Sequence, residues 1–164
     1  MLYIKLCDLV ETHPYKKRLR TGEKAKMGTR RKARVIALQA LFEVDSVGHD
    51  AGETVSRLVV EAALPEDGEV FVRELVDGVL TNKDSIDSMI QTYAPAWPVA
   101  QLATIDRNIL RLAIFEISLN NRVPVKAAIN EAVELAKTFG SENSAKFING
   151  VLGTVSAQSS RERG

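Results

Sequence analysis

Residues 104–119 read TIDRNILRLAIFEISL, and this stretch decides the fold. Apolar side chains cover most sides of a helix drawn through it, while Arg107, Arg111 and Ser118 form a narrow polar stripe. A helix that is apolar almost all round is typical of the buried centre of a helical protein. The sequence therefore predicts a central helix over Thr104–Leu119, against which the other helices pack.

Helical patterns continue on both sides of this central stretch. The first predicted helix begins at Thr29, which is a plausible N-cap. The remaining predicted helices run over Glu53–Ala62, Glu66–Leu80, Asn82–Tyr93, Lys126–Phe139 and Asn143 or Ser144 to Val155. Pro95 and Pro98 bracket Trp97 and form the strongest internal helix breaker. We therefore expect an all-α protein of about seven helices, with the join between two small subdomains at Pro95–Pro98.

Composition narrows the class of protein. The 164 residues are 45% hydrophobic and 26% charged, and the longest apolar runs are shorter than the roughly 18 residues that a membrane-spanning helix needs. Cys7 has no second cysteine to pair with, and His13 and His49 offer little for a zinc site. We expect a cytoplasmic protein with no membrane segment, no metal and no cofactor.

Charge is distributed very unevenly along the chain. Residues 1–34 hold 11 Lys and Arg against three acidic residues, a net charge of +8, whereas the remaining 130 residues carry 11 basic and 18 acidic residues, a net charge of −7. Such asymmetry is typical of an arm that contacts a polyanion while the rest of the protein repels it. Residues 1–27 show no sustained periodicity, so we expect a basic, disordered extension, or a chain whose functional start is Met27. We expect the folded domain over residues 28–157 and a flexible tail over 158–164.

The basic residues Arg30, Arg31, Lys32 and Arg34 fall in the first turns of the first predicted helix. Cations at a helix N-terminus oppose the helix dipole, so stability gives no reason for this placement. Binding of a polyanion would explain the placement, because these side chains can neutralise phosphates and arginine planes can stack on unpaired bases. A second pair, Lys146 and Phe147, offers a phosphate contact and a stacking ring, although a buried phenylalanine beside an exposed lysine is the simpler interpretation.

Residues for catalysis are scarce. Neither histidine has a recognisable partner for nucleophilic chemistry. Glu131 and Glu134 stand at i, i+3 on one predicted helix and leave a small hydrolase as a minor alternative, but solvated helix faces usually look the same. We predict that the protein is not an enzyme.

Four blocks of sequence resemble a known family. They are Arg30–Arg34 followed by Ala37–Phe42, then Ile105–Ala113, Ala128–Lys137 and Lys146–Leu152. In this order and spacing they are similar to the NusB family of bacterial transcription antitermination factors, over about Gly28 to Val155. The resemblance implies an all-helical fold of two subdomains. It also implies that the protein binds the boxA element of nascent ribosomal RNA transcripts together with ribosomal protein NusE. It further implies that the complex joins the elongating RNA polymerase and that no catalysis is involved.

The resemblance also assigns site residues. The RNA-binding positions of the family fall on Arg30, Arg31, Lys32, Arg34, Asn143, Lys146 and Phe147. The NusE-facing positions fall on Phe42 and Asp106. The chain departs from the family pattern at Lys32, Phe42 and Asn143, where relatives often carry arginine, tyrosine and an acid.

Two questions stay open at this point. The free protein is either a monomer or a homodimer that hides the arginine-bearing helix. The alternative function is a non-catalytic, protein-binding helical adaptor whose basic arm only aids solubility.

Overall fold

The computed structural model describes residues 28–163, and the predictions for residues 1–27 lie outside that range. Within it the chain forms seven α-helices and no β-strand, which confirms the all-α fold. The helices are α1 (Thr29–Val47), α2 (Ala51–Glu61), α3 (Glu66–Thr81), α4 (Lys83–Tyr93), α5 (Thr104–Ile114), α6 (Val125–Phe139) and α7 (Ser144–Arg163). A 3-10 turn at Val99–Gln101 precedes α5, and a π-helical turn at Phe115–Asn120 follows it.

The chain divides into two compact units, the first ending at Val72 and the second beginning at Arg73. Two helical units confirm the predicted organisation, but the predicted boundary at Pro95–Pro98 is wrong. The prolines end α4 and introduce a turn, yet α4 packs against α5 and α7 on the far side of that turn. The break therefore lies inside the second unit, and the boundary falls within α3 instead.

In the first unit, α1 packs against α2. The inward face of α1 carries Val35, Leu38 and Leu41, which are at most 5% exposed. Gly28 is the N-cap of α1, so Thr29 is the first helical residue and not the predicted cap. At the other end Gly48 adopts φ +76°, a left-handed conformation that glycine tolerates best.

A buried carboxylate ties α1 to α2. Glu43 is 6% exposed and accepts a hydrogen bond from Arg57, while its Oε1 lies 2.6 Å from His49 Nδ1. Burial by itself raises the pKa of Glu43, but the bonds to His49 and Arg57 outweigh it and hold the pKa below its ordinary value. The ionised Glu43 thus has the partners that a buried charge requires.

In the second unit, α5 packs against α4, α6 and α7, as expected of the central helix. Ile109, Leu110 and Ile114 are completely buried. Close packing at the start of this unit depends on Gly78, since a Cβ at that position would overlap the ring of Phe115. Burial of these side chains removes apolar surface from water, which is the main stabilising contribution.

Arg111, which belongs to the polar stripe predicted for the central helix, is buried and paired. It is 5% exposed and binds Asp87 through two bonds, Nε to Oδ1 at 2.8 Å and Nη2 to Oδ2 at 2.9 Å. Its Nη1 also donates to Asn108 Oδ1 at 3.2 Å. The polar stripe of the central helix is therefore partly an internal ion pair between α5 and α4, because a bidentate carboxylate satisfies the guanidinium fork.

Several helix ends differ from the sequence predictions. The central α-helix stops at Ile114 and continues as a π-helical turn, so it is shorter than the predicted span to Leu119. The last helix continues past the predicted end at Val155 to Arg163, so residues 158–163 are helical rather than a separate tail. Asn82 stands at the N-cap of α4, but its Nδ2 donates to the Gly78 carbonyl, and its side chain does not cap α4.

Candidate nucleic-acid interface

The basic residues at the start of α1 differ in exposure. Arg30 and Arg31 are exposed and Lys32 is half-buried, whereas Arg34 is only 6% exposed. The first turn of α1 contains no acidic residue and no side chain caps it, so its N-terminal N–H groups and its cations present positive charge together. This end of the helix is suited to bind an anion.

Arg30 and Arg34 stack on one aromatic ring. Their guanidinium carbons lie 4.9 Å and 5.3 Å from the centroid of Phe71, which is 8% exposed. The i, i+4 spacing places both arginines on the same face of α1, and the ring that receives them belongs to α3. The cation–π contacts hold the exposed Arg30 and the buried Arg34 against the same ring before any ligand arrives.

Gly68 allows this arrangement to form. A Cβ at Gly68 would lie 2.8 Å from Thr29 Cγ2 and 2.7 Å from Leu64 Cγ, both too close for a real side chain. The start of α1 and the start of α3 therefore approach closely, which brings Phe71 beneath the arginines. Sequence analysis missed both Gly68 and Phe71 as supporting residues.

The second candidate surface is a groove in the second unit. Its cavity measures about 530 Å³ and is lined by Tyr93–Trp97 from the end of α4 and by Asn143, Lys146, Phe147, Gly150 and Val151 from the start of α7. The three residues predicted from the C-terminal block thus come together on one wall. Tyr93 and Trp97, which sequence analysis did not assign to a site, stand on the other.

Helical geometry sets the positions of the predicted residues in this groove. Asn143 immediately precedes α7, and its carbonyl accepts the Phe147 N–H at 3.1 Å. Lys146 and Asn143 are exposed and Phe147 is half-buried. An aromatic ring that keeps part of its surface accessible beside a lysine is what base stacking with a phosphate contact requires. The structure differs from the simpler interpretation, a buried phenylalanine beside an exposed lysine, in that Phe147 keeps part of its surface exposed.

The residues predicted to face NusE are less accessible. Phe42 is 4% exposed and belongs to the core of the first unit, so its ring offers little surface to a partner. Asp106 is half-buried, its Oδ1 has no hydrogen-bond partner, and Ser144 at the start of α7 bonds to the carboxylate. Burial raises the pKa of Asp106, and the Ser144 bond lowers it by less.

The hydrolase alternative gains no support from the second unit. Glu134 is exposed and bonds to Lys137 Nζ at 3.1 Å, which is an ordinary ion pair on a helix face. Within residues 28–163 no three His, Cys, Asp or Glu side chains gather in a way that could hold a metal ion. Over the same residues no helix is long and apolar enough to cross a membrane.

Comparison with known proteins decides the family. The sequence pattern of the NusB family matches residues 31–157. The chain belongs to the NusB family. A transcription antitermination protein NusB of Dehalococcoides mccartyi strain CBDB1 is 56% identical over 128 residues, which cover 78% of this chain and 90% of the relative. The protein of that name from Roseiflexus sp. strain RS-1 is 50% identical over 77% of this chain and 90% of its own length.

Solved NusB structures share the fold. Thermotoga maritima NusB superposes with a TM-score of 0.73 at 32% identity, covering 78% of this chain and 90% of the other. A structure of the antitermination factors NusB and NusE in complex with dsRNA gives a TM-score of 0.74 at 27% identity, covering 79% of this chain and 97% of that one. The family match leaves residues 1–30 outside it, so the basic cluster from Arg31 onward lies within the NusB region.

Proposed function

We propose that this NusB-family protein is a non-catalytic, cytoplasmic antitermination factor that binds boxA RNA of nascent ribosomal RNA transcripts together with NusE and joins the elongating polymerase. The observation that carries the proposal is the groove in which Asn143, Lys146 and Phe147 meet. These residues offer an amide, a cation and a half-buried ring, which suit the edge, phosphate and face of an unpaired nucleotide.

The start of α1 supplies the second RNA-binding surface in this proposal. Arg30, Arg31 and Lys32 provide phosphate contacts that strengthen binding without reading sequence. Arg34 acts differently from its neighbours, because it is buried and its guanidinium lies over the ring of Phe71. Discrimination between RNA sequences then comes from the groove, where base faces and edges are in reach.

The interaction is tested by fluorescence anisotropy of a labelled boxA RNA and a scrambled RNA of the same length, with and without NusE, at several salt concentrations. We expect a preference for boxA that sharpens when NusE is present. Phe147→Ala should weaken RNA binding by about 1–3 kcal/mol with no change in salt dependence. Lys146→Ala should make the log–log salt slope shallower by about 0.7, the share of one phosphate on a single strand.

The matched control is Lys137→Ala, which removes one exposed positive charge from a residue of α6 that does not line the groove. It should leave the salt slope unchanged within error. Equal binding of boxA and scrambled RNA by the wild-type protein, with NusE present, would refute sequence-specific recognition.

The burial of Arg34 and the stacking of Arg30 favour a second candidate, the protein-binding adaptor, because they give these arginines a structural role without RNA. In that case Arg30→Ala and Arg31→Ala would leave RNA binding unchanged while NusE binding persisted. The anisotropy series with these two variants separates the candidates.

A further inference from the structure

Trp97 is the one large aromatic side chain displayed to solvent within residues 28–163. It is 58% exposed, whereas the other exposed large hydrophobic residues over that range are valines and a leucine. Tryptophan is the side chain with the most apolar area to lose on binding, and exposed aromatic surface in a concave site is typical of a ligand contact. The core of the second unit makes little use of this indole.

The segment that carries Trp97 is held in place by several contacts. Pro95 and Pro98 have fixed φ angles on either side of Trp97, and the backbone N–H of Trp97 donates to the Ala94 carbonyl at 3.2 Å. The following turn is anchored where the Val99 N–H donates to Gln91 Oε1 at 3.3 Å. The indole is therefore presented from an ordered backbone, which reduces the entropy lost when a ligand binds.

Trp97 lines the same groove as Phe147. The cavity of about 530 Å³ lies within the range that accommodates small-molecule ligands, about 300–1,000 Å³, and has room for flat aromatic groups. Gly150, on the α7 wall, has open space where a side chain would stand. Tyr93 adds a third aromatic ring, and Lys146 adds positive charge.

We infer that Trp97 is a second base-stacking residue, which receives an unpaired base of single-stranded RNA in the groove that it shares with Phe147. The inference rests on the proposed function and extends it, because it assigns the α4 end of the groove to RNA. Aromatic rings stack on any base, so Trp97 contributes affinity for unpaired RNA while discrimination depends on polar groups such as Asn143.

The chemistry of the groove favours RNA over a protein segment. Lys146 is exposed on the α7 wall and complements a phosphate, whereas a bound apolar helix would gain nothing from it. An alternation of aromatic rings with a cation is the usual composition of a single-strand binding surface. Each base that stacks leaves its charged backbone beside the lysine.

Trp97 is also the only tryptophan of the chain, so its fluorescence reports on this groove alone. The experiment titrates the full-length protein with unlabelled boxA RNA while indole emission is recorded, alongside anisotropy with labelled RNA. We expect quenching of Trp97 that saturates at the RNA concentration where anisotropy saturates. Trp97→Ala should weaken RNA binding roughly 5- to 150-fold without changing the salt slope, and Trp97→Phe should retain most of the affinity.

Val60→Ala is the matched control, since Val60 is 78% exposed on the first unit and its truncation should leave RNA affinity unchanged. Circular dichroism verifies that each variant is folded. If the wild-type protein binds RNA but the indole is not quenched and Trp97→Ala binds equally well, the inference is overturned and the proposed function stands. If Trp97→Ala loses affinity for NusE alone, the groove belongs to a protein partner and the inference is likewise overturned. If the wild-type protein binds no RNA, both fail.

Discussion

The aromatic support beneath the arginines at the start of α1 can be removed without changing any charge. Phe71→Leu keeps an apolar side chain in α3 but deletes the ring on which Arg30 and Arg34 stack at 4.9 Å and 5.3 Å. The cations that reach RNA stay the same in number. The substitution therefore separates the ordering of these arginines from their charge.

The expected magnitudes follow from exposure. A cation–π contact contributes about 0.5–1 kcal/mol at an exposed site and about 2 kcal/mol when desolvated. Arg30 is exposed and Arg34 is 6% exposed, so the loss of both contacts should lower the free energy of unfolding by about 2.5–3 kcal/mol. For RNA binding, ordering one long side chain costs about 0.5–1.5 kcal/mol, so an Arg30 released from the ring should weaken affinity by about 2- to 13-fold.

The assay is RNA anisotropy over a salt series, combined with urea denaturation. Phe71→Leu should shift the affinity but keep the log–log salt slope, whereas Arg30→Ala should make the slope shallower by about 0.7. Phe71→Tyr retains the ring and should restore most of the affinity. Val70→Ala, at a 60% exposed neighbouring position on α3, is the control.

Two results would refute this reasoning. One is an unchanged RNA affinity for Phe71→Leu in a protein that is fully folded at the assay temperature. The other is a salt slope that changes by as much as it does for Arg30→Ala, which would mean that the substitution displaces a phosphate contact and does not merely release a side chain.

Three further predictions concern stability. Because burial raises the pKa of Asp106, the protonated carboxyl stabilises the fold at pH values below the ordinary aspartate range, and this contribution is lost as pH rises through the folded-state pKa. Asp106→Asn should therefore raise Tm at neutral pH. A gain in Tm that persisted in acid would contradict the burial of the charge. Arg111→Met should cost about 3 kcal/mol in urea denaturation because it leaves a partly buried carboxylate without its partner, and a loss below about 1 kcal/mol would show that water replaces the ion pair. Gly78→Ala should destabilise the protein by about 1–3 kcal/mol, because the added methyl group would collide with Phe115. Gly153→Ala has open space around it and should stabilise α7 by up to about 1 kcal/mol. Equal effects of the two substitutions on Tm would refute the close packing of Gly78 against Phe115.

Local patterns predicted the helices well. The helix predicted over Lys126–Phe139 is observed over Val125–Phe139, and the helix predicted over Glu66–Leu80 is observed over Glu66–Thr81. The errors lie where a local signal has two structural outcomes. Two prolines can mark a boundary between subdomains or a turn inside one subdomain. Only the packing of α4 against α5 and α7 shows that Pro95 and Pro98 form a turn inside a subdomain.

Site residues divide in the same way. The C-terminal block identified Lys146 and Phe147, because they are neighbours in sequence at the start of a predicted helix. It could not identify Trp97, which stands about fifty residues earlier and reads there as part of a proline-rich break. Phe71 was missed for the same reason, since its role depends on a helix that begins at Thr29, far earlier in the sequence.

The sequence by itself determined the helical class, the order of the helices, the concentration of positive charge near the start of the chain and the family blocks. These properties depend on residues within a few turns of one another, where periodicity and capping operate. Only the tertiary structure decided that Arg34 lies buried on Phe71, that Arg111 pairs with Asp87, and that Trp97 lines the groove of Phe147. Each of these depends on contacts between helices distant in sequence, where burial and hydrogen-bond geometry determine which groups remain available to a ligand.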